Sequence, residues 1–211
     1  MMMNGVLGDR RLYLLLTRSM CRRKPIDTLR AALEGGVDLV QVREKPFGPD
    51  AIEWIEKVIV ECDTIHVPVI VNDWVDLATT ARAHGVHYGQ EDLAQQGRPT
   101  RSDLIFGVST HNVDEIQVAL ATEPDYVAVG PCFPSRTKRF ARYLSPEDLG
   151  PLVDLATVPC FAIGGITADN VGELTDSGVR RVAVSASVLA AADPAAATTA
   201  VRAALDPMWA G

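Results

Sequence analysis

Gln41, Arg43 and Lys45 follow the apolar run Val37-Asp38-Leu39-Val40 at every second position. In a strand this spacing puts them on one face with Val37 and Leu39, while Val40 and Val42 turn to the other. The face so formed changes from apolar to cationic as the strand ends. An amide and two fixed cations held side by side suit the binding of an anion. The competing structural reading is a strand end that emerges into solvent.

Polar residues recur at the ends of other apolar runs. Val67 to Val71 is followed by Asn72-Asp73, and Gly85 to Gly89 by Gln90-Glu91-Asp92. Asp73 and Asp92 together offer the one or two carboxylates that Mg2+ takes beside water and phosphate oxygens. Helix capping is the alternative use of both aspartates. Leu104 to Ser109 runs into Thr110-His111, where His111 has the chemistry of a general base. A structural hydrogen-bonding role is the plainer reading of His111, as it is for His66, His84 and His87. No Ser/His/Asp or Cys/His pairing stands out, so nucleophilic catalysis has no support.

Tyr126 to Val129 leads into Gly130-Pro131-Cys132-Phe133-Pro134-Ser135-Arg136-Thr137-Lys138, a loop whose hydroxyls and cations are suited to anions. Gly164-Gly165 follows Cys160 to Ile163, and Ser185-Ala186 ends the run from Val182. Glycines there allow close backbone approach to a phosphate, and also serve tight turns.

These residues require a scaffold that gathers strand ends. Eight candidate strands are readable: 12–16, 37–42, 67–71, 85–89, 104–109, 126–129, 160–163 and 182–185. Helical spacing fills most intervals. Asp50 precedes Ala51-Ile52-Trp54-Ile55-Val58-Ile59; Asn112 precedes Val113-Ile116-Val118-Ala119; Ser145-Pro146 reads as an N-cap and first helical residue. Asp169 and Asn170 open a further stretch that stops at Gly178. The interval from Gln90 to Arg101, polar and holding Pro99, is the weakest helix. Alternating strands and helices imply parallel β-α units, and eight of them fit a single-domain (β/α)8 TIM barrel over residues 1–211. An open doubly wound sheet is the alternative, but no GxGxxG follows the first strand. In the barrel the C-terminal strand ends carry the chemistry, and loops seven and eight commonly hold phosphate.

Composition narrows the classes. The 211 residues are 47% hydrophobic, enough for one substantial core, and the net charge of -7 opposes a broad nucleic-acid surface. The basic run Arg136, Lys138, Arg139, Arg142 could suggest RNA, but the global charge opposes it. Cys21, Cys62, Cys132 and Cys160 form no CxxC pattern, which points to a reducing cytoplasm without disulfide or zinc. Leu12 to Leu16 is too short to span a bilayer and lacks a signal-peptide layout.

QVREK, VND, GVHYGQED, GVSTH, the GPxxPxxTK-like loop, AIGGIT and VAVSAS occur in that order between about Leu12 and Pro194. In this ordered set the sequence resembles the thiamine-phosphate synthase (thiamin phosphate pyrophosphorylase) family. The resemblance implies a (β/α)8 barrel that joins 4-amino-2-methyl-5-(diphosphooxymethyl)pyrimidine to a 4-methyl-5-(2-phosphooxyethyl)thiazole, or its carboxylate form. Thiamine phosphate and pyrophosphate are the implied products, by dissociative loss of pyrophosphate. By motif, the segment Gln41, Val42, Arg43, Glu44 and Lys45, with Asn72, Ser109 and Lys138, would hold the pyrimidine diphosphate. Arg43, Lys45 and Lys138 would be catalytic, and Asp73 and Asp92 would bind Mg2+. Ser135, Arg136, Thr137, Gly165, Ser185 and Ala186 would receive the thiazole phosphate. The implied partners are these small molecules, with a homo-oligomer compatible and neither nucleic acid nor membrane involved.

Two positions depart from the family pattern. Ser135 stands where threonine is common, and keeps the hydroxyl. Ala186 stands where serine is usual, with Ser185 one place earlier, so backbone N–H groups are left to serve the phosphate. The strand period makes Glu44 an internal control: its side chain is expected to point away from substrate. Two rival functions share this barrel, a thiazole tautomerase that would not need the metal carboxylates, and a non-catalytic phosphate-binding barrel.

Overall fold

A computed structural model of the protein describes residues 7–134 and 143–209. Eight parallel strands close a barrel in chain order: β1 (Leu12–Leu16), β2 (Leu39–Val42), β3 (Val69–Asn72), β4 (Gly85–Tyr88), β5 (Ile105–Thr110), β6 (Tyr126–Val129), β7 (Cys160–Ile163) and β8 (Arg181–Val184). β8 pairs back onto β1, Tyr13 opposite Ala183, so no sheet edge is left. The strands are short and rich in Val, Ile, Leu and aromatics, and β2, β3, β4 and β6 are buried throughout. That is the pattern of strands covered on both faces.

The covering helices are α1 (Pro25–Glu34), α2 (Ala51–Asp63), α3 (Val75–Thr80), α4 (Gln90–Gln96), α5 (Val113–Ala121), α6 (Pro146–Leu155), α7 (Ala186–Leu189) and α8 (Pro194–Trp209). Two of their start signals act as read, while Asp50 stands at the N-cap of α2 without a side-chain cap bond and pairs with Arg18 instead. Asn112 accepts from the amide of Glu115, and Ser145 forms a reciprocal capping box with Asp148 behind Pro146. α2 buries Ala51, Trp54, Ile55, Val58 and Cys62, the three-and-four spacing of one face.

Two helical expectations are corrected in detail. The stretch after Asn170 is a 3-10 helix, Val171–Ser177. Asn170 does not cap it: its Oδ1 accepts from the amide of Thr167 and its Nδ2 donates to the carbonyl of Gly165, tying it back to the β7 loop. The weakest interval does contain a helix, α4, which stops at Gly97 (φ 65°), so that Pro99 falls beyond its end.

Hydrophobic residues form two clusters. Leu12, Leu14, Leu16, Val40, Val42, Val69 and Val71 face the helices. The barrel interior holds Leu7, Tyr13, Leu39, Ile70, Ile105, Tyr126, Phe161 and Ala183. Tyr13, Tyr126 and Phe161 meet edge to face with centroids 5.4–5.7 Å apart, each contact adding about 0.5–1.5 kcal/mol beyond area burial. Gly107 makes room for this cluster, because a Cβ there would overlap the Tyr126 ring. The interior is filled below, and the side chains turn polar toward the C-terminal ends of the strands.

Candidate active site

A cavity of about 790 Å3 opens at the C-terminal ends of the strands. Gln41, Arg43, Lys45, Asn72, Asp73, Asp92, Ser109, Gly165, Ser185 and Ala186 all line it. The alternation in β2 is the reason for the first three. Leu39 packs inside the barrel, so Gln41 and Arg43 follow it inward, and Lys45 continues the row just past the strand. Among the described residues the Arg43 guanidinium has no carboxylate partner, which leaves its charge for an anion.

Val42 and Glu44 lie on the opposite face. Val42 is buried against the helices, and the Glu44 carboxylate accepts from the amide of Arg18 (2.9 Å) and pairs with its guanidinium. Neither lines the cavity, so any contact of theirs with substrate is through backbone, and the register expected for Glu44 holds. Ser135, Arg136, Thr137 and Lys138 lie outside the described residues.

Asp73 and Asp92 stand together at the ends of β3 and β4. Asp73 adopts φ 65°, a left-handed conformation that aspartate tolerates better than most residues, and its amide donates to the carbonyl of His87 (2.9 Å). Lys45 Nζ lies 2.8 Å from Asp73 Oδ2. Burial first, then the charge of Asp73 and a hydrogen bond with it, raise the pKa of Asp92; Lys45 opposes this. Two crowded carboxylates of this kind fit a divalent cation, which relieves their repulsion and draws further oxygens from substrate and water. No cluster of three metal-ligating side chains is found among the described residues, so an ion here depends on those extra oxygens.

Under the cavity floor Gln41 and Ser109 are joined through Tyr13, Tyr126 and His87, three residues with no site role assigned from the sequence. Gln41 Nε2 donates to the Tyr13 hydroxyl (2.6 Å), which meets the Tyr126 hydroxyl (2.7 Å). Tyr126 contacts His87 Nδ1 (3.0 Å), and His87 Nε2 contacts Ser109 Oγ (2.8 Å). Burial is the main cause that lowers the His87 pKa to about 4, so the ring is neutral at pH 7; burial likewise raises both tyrosines. Period two in GVHYG and LYLLL carried the signal for His87 and Tyr13: each sits two residues from another inward position. Gln41 Oε1 and Asn72 Nδ2 are buried with no hydrogen-bond partner among the described residues, and both residues line the cavity. His111 sits at the rim, its Nδ1 2.7 Å from Glu115 Oε2.

Among the described residues, the far wall is shaped by close backbone packing. Cys132 N donates to Ile163 O and Phe133 N to Gly164 O, both at 2.9 Å, so the loops after β6 and β7 lie against each other. Gly164 (φ 105°) and Gly165 (φ 65°) require glycine on two counts: the left-handed backbone, and a Cβ that would strike Pro131 or the carbonyls of Phe133 and Pro134. Loop packing is therefore the structural reason for the pair. The Ser185 hydroxyl is already used, donating to Leu15 O (2.9 Å), while the Ser187 hydroxyl is buried without a partner and lines the cavity. Ser187, the last letter of VAVSAS, was legible only as part of that motif.

A family profile described as thiamine monophosphate synthase matches residues 12–188. The thiamine-phosphate synthase of Geobacillus thermodenitrificans is 40% identical over 202 residues, covering 92% of this chain and 90% of the relative. That of Methanobrevibacter smithii is 35% identical, covering 88% and 90%. Among solved structures, thiamine phosphate pyrophosphorylase from Pyrococcus furiosus superposes with a TM-score of 0.84 at 28% identity, covering 97% of this chain and 99% of that one. The motifs at the strand ends, the closed barrel and these matches agree: the chain belongs to the thiamine monophosphate synthase family.

Proposed function

We propose that the pyrimidine diphosphate lies along the β2–β5 wall of the cavity and the thiazole phosphate along the β6–β8 wall. The chain is a transferase that condenses the two to thiamine phosphate with release of pyrophosphate. The observation that carries the arrangement is the meeting of Arg43 and Lys45 with Asp73 and Asp92 at one end of a single cavity. Breaking the CH2–O–diphosphate bond builds negative charge on the leaving group, and pre-placed cationic donors stabilise it. Arg43 and Lys45 supply that charge here, joined by Lys138 on the reading by motif. Asp73 and Asp92 would hold Mg2+, which would supply Lewis-acid stabilisation of the same leaving group.

Gln41, Asn72 and Ser109 present amide and hydroxyl groups to the pyrimidine ring deeper in the cavity. No side-chain nucleophile is needed, because the thiazole nitrogen attacks the electron-poor methylene. On the other wall the amides that open α7, at Ala186 and Ser187, have no acceptor within the helix and suit a phosphate, Gly165 lines the same cavity, and Ser135, Arg136 and Thr137 are assigned to that phosphate by motif alone. A cytoplasmic setting is supported by the four free cysteines, and no helix among the described residues is long and apolar enough to cross a membrane.

The test mixes the purified protein with both phosphorylated substrates, with Mg2+ and with excess chelator, and follows pyrophosphate and thiamine phosphate. Equal release of both products, abolished by chelation, is expected. No product under any condition would sink this reading, and turnover undiminished by chelation would remove the metal from it.

A further inference from the structure

Tyr13, Tyr126 and His87 belong to no part of the mechanism above, yet they join Gln41 on β2 to Ser109 on β5 in one buried chain beneath the cavity floor. We propose that Tyr13, Tyr126 and His87 are positioning residues: they form a one-way hydrogen-bond relay that holds Gln41 as an acceptor and Ser109 as a donor toward the ring bound above them. The inference rests on the proposed function for the identity of that ring.

The direction follows from counting protons. Gln41 Nε2 donates to the Tyr13 hydroxyl, which has one hydrogen of its own, and among the described residues Tyr126 is its one other hydrogen-bond partner. Tyr13 therefore donates to Tyr126. The Tyr126 hydroxyl, now an acceptor from Tyr13, keeps its own hydrogen satisfied only by donating to His87 Nδ1. The ring is 5% exposed, lies between two hydroxyls and stacks on Tyr126 at 5.5 Å, with no carboxylate hydrogen-bonded to it. Nδ1, accepting from Tyr126, carries no hydrogen, so the ring's hydrogen sits on Nε2 and is donated to Ser109 Oγ. Ser109 is left with its O–H for the cavity. At the other end Gln41 has spent its nitrogen on Tyr13, and Oε1, buried without a partner, is left for the ligand.

The site thus offers an acceptor at Gln41 and donors at Ser109 and at Asn72 Nδ2. The matching ring edge presents an amino donor beside acceptor nitrogens, which is a 4-aminopyrimidine. A 4-oxopyrimidine presents the reverse, a carbonyl beside an N–H, and places like against like. Free amide and hydroxyl groups would rotate to suit either ring; the relay removes that freedom. Gly107 belongs to the same device, since only a glycine lets the Tyr126 hydroxyl reach its place.

The experiment has two arms. On substrate-free wild-type protein labelled with 15N-histidine, a two-bond 1H–15N correlation spectrum, assigned with His87→Gln, reads the His87 tautomer. A single neutral Nε2–H form is expected; an Nδ1–H form or a charged ring at pH 7 would overturn the direction. In the second arm the 4-amino and 4-oxo pyrimidine diphosphates compete for turnover. Tyr126→Phe and Tyr13→Phe, which keep the rings and cut the relay, are each expected to lower the preference for the amino substrate by about tenfold, the worth of one hydrogen bond. An unaltered preference in both would overturn the positioning role. Absence of turnover in the wild type would instead refute the proposed function, which the substrate-free spectrum does not depend on.

Discussion

The two walls of the cavity are made in different ways. From β2 to β5 the wall consists of side chains: Gln41, Arg43, Asn72, Asp73, His87 and Ser109 project from alternating strand positions or the residue after them. From β6 to β8, among the described residues, it is largely backbone and small side chains, with glycines at 130, 164 and 165 and a serine at 185 whose hydroxyl is bound to β1. The first wall supplies charge and hydrogen-bond polarity, suited to a leaving group and a heteroaromatic ring. The second supplies shape and amides. A substitution on the first should act on chemistry, and one on the second on folding.

The largest effect is expected at the acidic corner. Asp73→Asn or Asp92→Asn should each lower kcat by about 10²–10³-fold, as for loss of one group that stabilises transition-state charge. Circular dichroism should show the barrel intact. The sign for stability is the opposite. Asp92 has its pKa raised by burial and by Asp73. A raised carboxyl binds more protons folded than unfolded, so its contribution favours folding below the unfolded pKa and is lost as pH rises through the folded one. At neutral pH without metal, Asp92→Asn should therefore raise Tm slightly, by about 1–2 °C on the usual conversion. Full activity in both variants would place the cation elsewhere.

Gly164→Ala probes the backbone wall. A side chain at φ 105° meeting Pro131 should cost about 1–3 kcal/mol of stability, read by denaturant unfolding. A fully stable variant would show that the loops after β6 and β7 need no close contact. The smallest effect on turnover belongs to Glu44→Gln. Its carboxylate serves Arg18 outside the cavity, so kcat/KM should stay within about twofold while stability falls by about 1 kcal/mol. A large loss of turnover would break the distinction between the two faces of β2.

The side-chain wall was the legible one. Period two is a local rule, so once 37–42 is a strand, Gln41 and Arg43 must share a face and Glu44 must leave it. The same rule reaches Tyr13 and His87, but a tyrosine in LYLLL and a histidine in GVHYG carry no local sign that they bond each other. Their contact with Tyr126 joins residues 113 and 39 positions apart in the chain. Asn170 shows the opposite failure: locally a good cap, it found partners at Thr167 and Gly165 instead. The glycine pair was visible, but its packing against the β6 loop depends on two segments brought together by barrel closure.

What the sequence determined by itself was the inventory and the period: eight apolar runs, the helices between them, and which residues of each strand share a face. Those follow from backbone geometry and burial, which act over a few neighbours. What the tertiary structure decided was which inward residues meet. Closing β8 onto β1 brings Ser185 to Leu15 and joins Gln41 to Ser109 through Tyr13, Tyr126 and His87. Hydrogen bonds between side chains so far apart in the chain exist only once the strands are staggered around one axis, because only then does each buried polar group find its partner within reach.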